Sequence, residues 1–539
     1  MNVEASSRTA ALPASSMAPL RHKTFAVLWL ATVLGNTGTF IRDVASGWLM
    51  TDLSASPAAI AMIQVAGTLP IFLFAIPAGV LADILDRRKY LILIQLLLGC
   101  VSGTLMMLSL TGLLTVSTLI ALTFVGGIGA ALMSPTWQSI VPDLVPRGEL
   151  RSAVALNSLG VNISRSIGPA TGGLVLATFG AAATYCLDVL SYVVVIAVLV
   201  WWRAPARKVT ELSETFVGGF RAGIRYARAN RELHRMMFRA LMYFGFASCV
   251  WALLPLITRE LLNGSAGFYG VLLGAVGLGA ILGAFVLPRL RSRFDNDKIL
   301  LLAALLTAAM MAGIALAPPR VLSFMCLVLL GAAWIAALTT LNATTQSILP
   351  NWVRGRGLAV YLTVFNGALA AGSLVWGLVA QQLGLTLTLL LSAGGLTITA
   401  LWVLRYRLPS MDSDLLPSNH WPEPLVSSSS AHERGSVMVL VHYRIRTEDR
   451  SAFLDLLGRL SAERRRDGAH AWGVTEDAAD PAHIVEWFLI ASWTEHLRQH
   501  ARVTRADADL QEQLRAYHTL SDPPVVEHLL GLTVGSQPH

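Results

Sequence analysis

Gln138-Ser139-Ile140-Val141-Pro142-Asp143 reappears as Gln346-Ser347-Ile348-Leu349-Pro350-Asn351, and each copy closes a long apolar run. A hydrocarbon core takes about 20 apolar residues to cross. Around the first copy such runs occupy residues 24–50, 58–81, 90–110, 116–141, 153–178 and 183–202. Around the second they occupy residues 236–257, 267–287, 299–317, 321–349, 358–381 and 385–404. Both copies therefore end the fourth run of a set of six. A short recurrence can arise by chance, but recurrence at the same place in both sets marks an internal duplication. The sequence predicts an all-α membrane protein of twelve transmembrane helices in two six-helix, pseudo-symmetric bundles, a design whose transport site lies between the halves.

Composition agrees with a chain that lives mostly in lipid. Of 539 residues, 54% are hydrophobic and only 14% charged, against about 25% charged in soluble domains. The missing charge returns beyond residue 436, so a second, water-soluble part is expected. The net charge of +8 reads as loops facing an anionic leaflet, and no nucleic-acid partner is expected. Arg21, Lys23, Arg87, Arg88, Lys89, Arg147, Arg151, Arg203, Arg207 and Lys208 fall on one side, as do Arg289, Arg291, Arg293, Lys298, Arg354, Arg356, Arg405 and Arg407. The alternate loops hold little beyond Arg259 and Arg320. With an even number of spans, this asymmetry predicts a multi-pass inner (plasma) membrane protein with both termini cytoplasmic. Cys100, Cys186, Cys249 and Cys326 sit in apolar runs without metal-ligand spacing and read as packing residues. No P-loop is present, which disfavours ATP drive, and no cofactor is expected.

The expected division is a disordered tail at 1–20 with no cleaved signal, a bundle at 21–202, a cytoplasmic loop at 203–235, a bundle at 236–407, a linker at 408–435 and a soluble domain at 436–539. In the central loop, Phe216, Phe220, Ile224 and Ala227 share a helical face with Arg221, Arg225 and Arg228 elsewhere, which predicts an amphipathic helix resting on the inner leaflet. The linker is rich in Pro and Ser. The last domain reads as strand 437–445, helix 448–465, strands 471–475 and 484–491, helices 494–503 and 507–518, and strand 525–530, a small α+β unit.

Charged residues inside spans are costly and are the first functional candidates. Asp43, Arg165 and Asp188 stand out, while Arg42 is read as interfacial. Thr32, Asn36, Thr39 and Asp43 follow i, i+4, i+7, i+11 and form one polar stripe; Ser158, Asn162 and Arg165 form a second. A polar stripe in lipid should face water, so the first and fifth helices are expected to line a cavity. There Asp43 or Asp188 would neutralise Arg165 or carry a proton. The plain alternative is a structural charge pair. Trp48, Trp137 and Trp376 fit either an apolar route or interfacial anchoring.

The loop Gly79-Val80-Leu81-Ala82-Asp83-Ile84-Leu85-Asp86-Arg87-Arg88-Lys89 resembles the major facilitator signature between helices two and three. The resemblance implies a gate in which Gly79 allows close helix approach, Asp83 latches the inward-closed state, and Arg87 and Arg88 fix the inner surface. Ile84 stands where a basic residue is usual. Gly168-Pro169-Ala170-Thr171-Gly172-Gly173 matches the packing motif of major facilitator antiporters, centred on Gly168, Pro169, Gly172 and Gly173. With Pro142-Asp143-Leu144-Val145-Pro146 and Asn162-Ile163-Ser164-Arg165 added, the chain most resembles the enterobactin-exporter-like branch, the transmembrane secretion effectors. That resemblance implies secondary active, proton-coupled export of a siderophore or drug-like natural product, with membrane lipid, protons and a small-molecule substrate as partners. Where the family often carries an arginine in the fourth helix, this chain has Thr123.

Beyond the linker, Tyr443-Arg444-Ile445, Arg464-Arg465-Arg466-Asp467-Gly468-Ala469 and Ser492-Trp493-Thr494-Glu495-His496 look like ferredoxin-like antibiotic-biosynthesis monooxygenase domains. This resemblance implies self-association through the C-terminal domain. It also frames the alternative function, a membrane-anchored enzyme or sensor acting through that domain, although twelve spans exceed what an anchor needs. His496 and His500 are four apart on a helix, a spacing that can chelate a metal; with no third ligand marked by the sequence, they are read as a solvated face, and no metal is expected.

Overall fold

The computed structural model describes residues 17–203, 226–228, 230–316, 318–350, 353–403, 405, 436–503 and 505–531. The amphipathic helix expected before Tyr226, the linker, and most of the N-terminal tail lie outside the described residues, as does the side chain of Asp83, while Gly79 is described only by its place in the helix Pro57–Ile84. Two compact units are formed. One comprises residues 1–209, 239–341 and 362–407, and the other residues 210–238, 342–361 and 408–539.

The first unit contains the membrane part. Its helices are α1 (Lys23–Leu53), α2 (Pro57–Ile84), α3 (Arg87–Leu110), α4 (Val116–Leu144), α5 (Leu150–Trp201), α6 (Arg231–Leu256), α7 (Ala266–Arg291), α8 (Asn296–Ala315), α9 (Arg320–Ser347) and α10 (Arg354–Val403), with α6, α9 and α10 each contributing only in part. Ten helices among the described residues are long and apolar enough to cross a membrane. Short polar residues begin several of them where the apolar runs begin. Ser56 accepts from Ala59 N–H, Asp86 from Lys89 N–H and Asp295 from Lys298 N–H, and Thr115 with Thr118 makes a capping box.

Helices α5 and α10 contain 52 and 50 residues. At about 1.5 Å per residue either would be more than 70 Å long if straight, over twice a hydrocarbon core. Each is broken by one glycine: Gly180 has φ 80° and Gly384 φ 76°, in the left-handed region that only glycine enters at little cost. Both glycines fall in the short gaps between paired apolar runs.

The second unit holds the C-terminal domain. Strands β1 (Val437–Arg444), β2 (Ala471–Asp477), β3 (Asp480–Ile490) and β4 (Val525–Leu530) and helices α11 (Arg450–Asp467), α12 (Trp493–Arg502) and α13 (Arg505–Arg515) follow in the order β1-α11-β2-β3-α12-α13-β4. The sheet order is β2-β3-β1-β4, and every neighbouring pair is antiparallel. Val437, Val439, Val441 and Tyr443 alternate inward along β1 and pack with Phe453, Leu457 and Leu460 of α11 and with Ile484, Phe488 and Ile490 of β3. The period of two in the strands and the apolar stripe on α11 thus meet in one core.

Candidate transport site

In α1, consecutive residues point about 100° apart, and this separates two neighbouring charges. Arg42 turns inward with its side chain 11% exposed, whereas the Asp43 side chain is 54% exposed. Arg42, read from the sequence as interfacial, is thus packed among helices and paired. Its Nε and Nη2 donate to Asp43 Oδ1 at 3.3 and 3.0 Å, and its Nη1 donates to the Tyr192 hydroxyl at 3.2 Å. The same Nη1 lies 3.7 Å from Asp188 Oδ2.

Asp188, on the second part of α5, is fully buried. The Ser102 hydroxyl of α3 donates to its Oδ2 at 2.6 Å, and its Oδ1 meets no hydrogen-bond partner. Thr39 and Tyr192 hydroxyls lie 3.1 Å apart. Three helices thus converge on one incompletely satisfied carboxyl group. Arg165 makes no ion pair among the described residues, so the expected neutralisation of Arg165 by Asp43 or Asp188 is also corrected. The physical reason is rotation: Arg42 occupies the face turned to Asp188, and Arg165 shares α5 with Gly168 and Gly172, which pack on α1.

A cavity of about 190 Å³ adjoins this cluster. Thr32, Asn36 and Thr39 of the first polar stripe line it, with Gln95, Trp137, Asn157, Val161 and Tyr192. Helices α1 and α5 therefore share its wall as expected, but on α5 the lining face carries Asn157 and Val161, not Ser158, Asn162 and Arg165. Asp43 is not among the lining residues. Trp137 Nε1 donates to Asn157 Oδ1 at 3.0 Å, which gives the indole a fixed place in the wall. Trp48 instead sits 6.0 Å from the Tyr269 ring, and Trp376 donates to Gly245 O. Tyr192 belongs to both cavity and charge cluster; sequence reasoning missed it because a tyrosine in an apolar run carries no signal of its partners.

At the basic-loop end, Arg87 Nη1 donates to Asp143 Oδ2 at 2.9 Å, joining α3 to the repeated Gln-Ser-Ile-Val-Pro-Asp segment. Arg88 donates to the carbonyls of Leu199 at 2.8 Å and of Val200. The repeat marks Asp143 in the sequence, but nothing there marks its pairing with Arg87.

The Gly-Pro motif holds three elements together. A Cβ on Gly168 would lie 2.7 Å from Phe40 Cβ and one on Gly172 would lie 3.0 Å from Ile41 Cα, both on α1; one on Gly173 would lie 2.6 Å from Gly270 Cα on α7. Gly173 and Gly270 thus let the two halves touch backbone to backbone. Further contacts between halves run from Phe72–Gly367 through Ala61–Gly377 to the Arg259–Asp52 ion pair at 2.5 Å, toward the end away from the basic loops.

In the C-terminal domain, Glu486 is fully buried and accepts from Arg464 Nε at 3.0 Å, Arg464 Nη2 at 3.3 Å, Trp472 Nε1 at 3.0 Å and the Tyr443 hydroxyl at 3.4 Å. Burial, with Glu486 beside it, pushes the Tyr443 hydroxyl well above the usual tyrosine range. His496 is 1% exposed, not on a solvated face, which corrects that expectation. Burial, ahead of neighbouring His500 and His528, pushes its imidazole down to about 3.

The description "transmembrane secretion effector" belongs to the family that matches residues 14–535. The chain belongs to that family. This secretion effector is 23% identical over 358 residues to the staphyloferrin A transporter of Staphylococcus aureus strain NCTC 8325 / PS 47, covering 65% of the chain and 88% of the relative. It is 29% identical over 312 residues to the enterobactin exporter EntS of Shigella boydii serotype 18, covering 56% and 73%. A solved bacterial homologue of the human lysosomal transporter Spinster superposes with a TM-score of 0.58 at 16% identity, covering 72% of the effector and 97% of that chain, and shares its fold. The effector is thus a multi-pass major facilitator transporter and not an anchored enzyme.

Proposed function

We propose that this chain exports a small amphipathic molecule of the siderophore or drug-like natural-product class in exchange for protons, by alternating access. The glycine breaks at 180 and 384 support counting the ten helices as twelve spans in two bundles. The basic loops support an inner-membrane location with both termini cytoplasmic. The cargo class is taken from relatives whose names state transport of staphyloferrin A, export of enterobactin and efflux of macrolides.

One observation carries the coupling: Asp188 is buried, holds Arg42 through a single oxygen, and reaches the cavity through Arg42 and its bond to the Tyr192 hydroxyl. In its charged form the carboxylate competes with Asp43 for the guanidinium. A proton on Asp188 removes that attraction, frees Arg42 to pair with Asp43 alone, and loosens the Tyr192 wall of the cavity. Arg42 Nη1 also lies close to Gly126 of α4, so α1 supplies a cation near the helix where Thr123 replaces the family's arginine. Asn36 of the cavity wall is the best candidate for cargo contact, while Asn162 and Arg165 stand outside the wall and serve helix packing. Asp83 and Gly79, with Arg87 and Arg88, form the inner gate, supported by the Arg87–Asp143 and Arg88–Val200 contacts.

The β2-β3-β1-β4 order supports a ferredoxin-like reading of the C-terminal domain, and exposed Val525 and Leu529 on β4 support self-association there. The test is flux in proteoliposomes under an imposed pH gradient, with an iron-free catecholate siderophore and a hydrophobic dye as separate cargoes. Accumulation that collapses with a protonophore is expected. Transport indifferent to the gradient contradicts proton coupling, and no transport of either probe contradicts the cargo class.

A further inference from the structure

Helix α12 and strand β4 bring three histidines together. Ser492 caps α12 by accepting from Glu495 N–H, which fixes the first turn and sets His496 and His500 one above the other. His528 pairs across the sheet with Val439, whose side chain is buried in the core, so His528 leaves β4 on the core-facing side. The ring of His496 lies 4.6 Å from that of His500 and 4.8 Å from that of His528, centroid to centroid. One nitrogen from each of the three lies within 4.8 Å of the other two.

The rings are not merely stacked apolar filler. His496 is 1% exposed, and neither of its ring nitrogens makes a hydrogen bond of good geometry, although the Gln499 side chain lies near enough to interact with the ring. A neutral imidazole carries one donor and one acceptor, and leaving both unpaired in a core costs free energy that packing does not return. Trp493, 5.3 Å from His496 and 5.9 Å from His528 between ring centroids, shields one side of the group. The nearby Arg464 charge is already matched by Glu486, so it does not repel a cation as an unpaired arginine would.

We propose that His496, His500 and His528 form a binding site for a divalent transition metal of the zinc type. Three imidazoles with, among the described residues, no carboxylate in the group disfavour calcium and magnesium, which take oxygen ligands, and suit zinc, copper or nickel. Tetrahedral Zn–N bonds of about 2.0–2.1 Å bring ligand nitrogens to roughly 3.4 Å apart. His500 and His528, both only partly buried, close that distance by side-chain rotation while His496 stays fixed by the core. Three protein ligands leave a fourth position for water or an exogenous ligand. The sequence marks His496 and His500, and only the strand register supplies His528.

The site is tested on the full chain in detergent, purified through a tag without histidine. The probes are Zn²⁺ by titration calorimetry and Co²⁺ by visible absorption. One Zn²⁺ per chain with a dissociation constant of about 1 µM or tighter is expected, together with the intense visible bands of four-coordinate Co²⁺. His500→Gln and His528→Gln should each weaken binding by about a hundred-fold or more. Equal Zn²⁺ affinity in both variants overturns the proposal. So does a Co²⁺ spectrum of the unmodified chain that stays that of the six-coordinate aqua ion, a result independent of how any variant folds.

Discussion

Two buried arginine–carboxylate pairs differ in how completely they are satisfied. In the C-terminal domain, Glu486 receives two bonds from Arg464 and one each from Trp472 and Tyr443. In the membrane part, Asp188 receives one bond from Ser102, stands 3.7 Å from Arg42, and leaves Oδ1 without a partner, while Arg42 divides itself between two carboxylates. A fully satisfied pair resists change because every alternative leaves a buried charge exposed to an apolar medium. A partly satisfied pair has more than one arrangement open to it, and under the proposed coupling a proton on Asp188 selects between them. Both clusters include a tyrosine hydroxyl, so the two pairs differ in the count of met valences and not in residue types.

If the Glu486 network is structural, Glu486→Ala leaves Arg464 buried without its counter-ion and destabilises the C-terminal domain by about 3–5 kcal/mol. Limited proteolysis of the full chain should then digest that domain at far lower protease concentration, and unchanged resistance would break the contrast. Tyr192→Phe sharpens it from the other side. Losing the hydroxyl that joins Arg42 to the cavity should cost about 1 kcal/mol of stability yet slow gradient-driven flux several-fold in vesicles; equal flux would detach the cluster from transport. The smallest effect is expected at the gate, where the Asp143 side chain is 42% exposed. Arg87→Gln should shift thermal stability by about 1 kcal/mol or less, measured by unfolding in detergent, and a large loss there would mean that the pair is a structural support.

How much of this was legible in the sequence follows from what each signal depends on. Apolar length depends on composition alone, so a mostly helical membrane part was legible, and Gly180 and Gly384 break the two double-length helices in the gaps between the runs read from the sequence. Strands of the C-terminal domain were legible through alternation, with β4 at the expected residues. Asp43 and Asp188 were visible as charges in apolar surroundings. Their partner was not, because the roughly 100° between Arg42 and Asp43 decides which one faces Asp188, and helix rotation is set by packing such as Gly168 on Phe40 and Gly172 on Ile41. The same rotation moved the cavity face of α5 from Ser158 and Asn162 to Asn157 and Val161. His496 was read as solvated because the sequence does not say that Trp493 and His528 cover it.

The central claim is that Asp188, rather than Asp43, is the proton-responsive group. Its most direct test compares Asp188→Asn and Asp43→Asn in proteoliposomes, reading both gradient-driven accumulation and gradient-free exchange of the same cargo. The account predicts that Asp188→Asn abolishes accumulation while exchange persists, and that Asp43→Asn only reduces accumulation. Accumulation retained in Asp188→Asn, or lost only in Asp43→Asn, would contradict it.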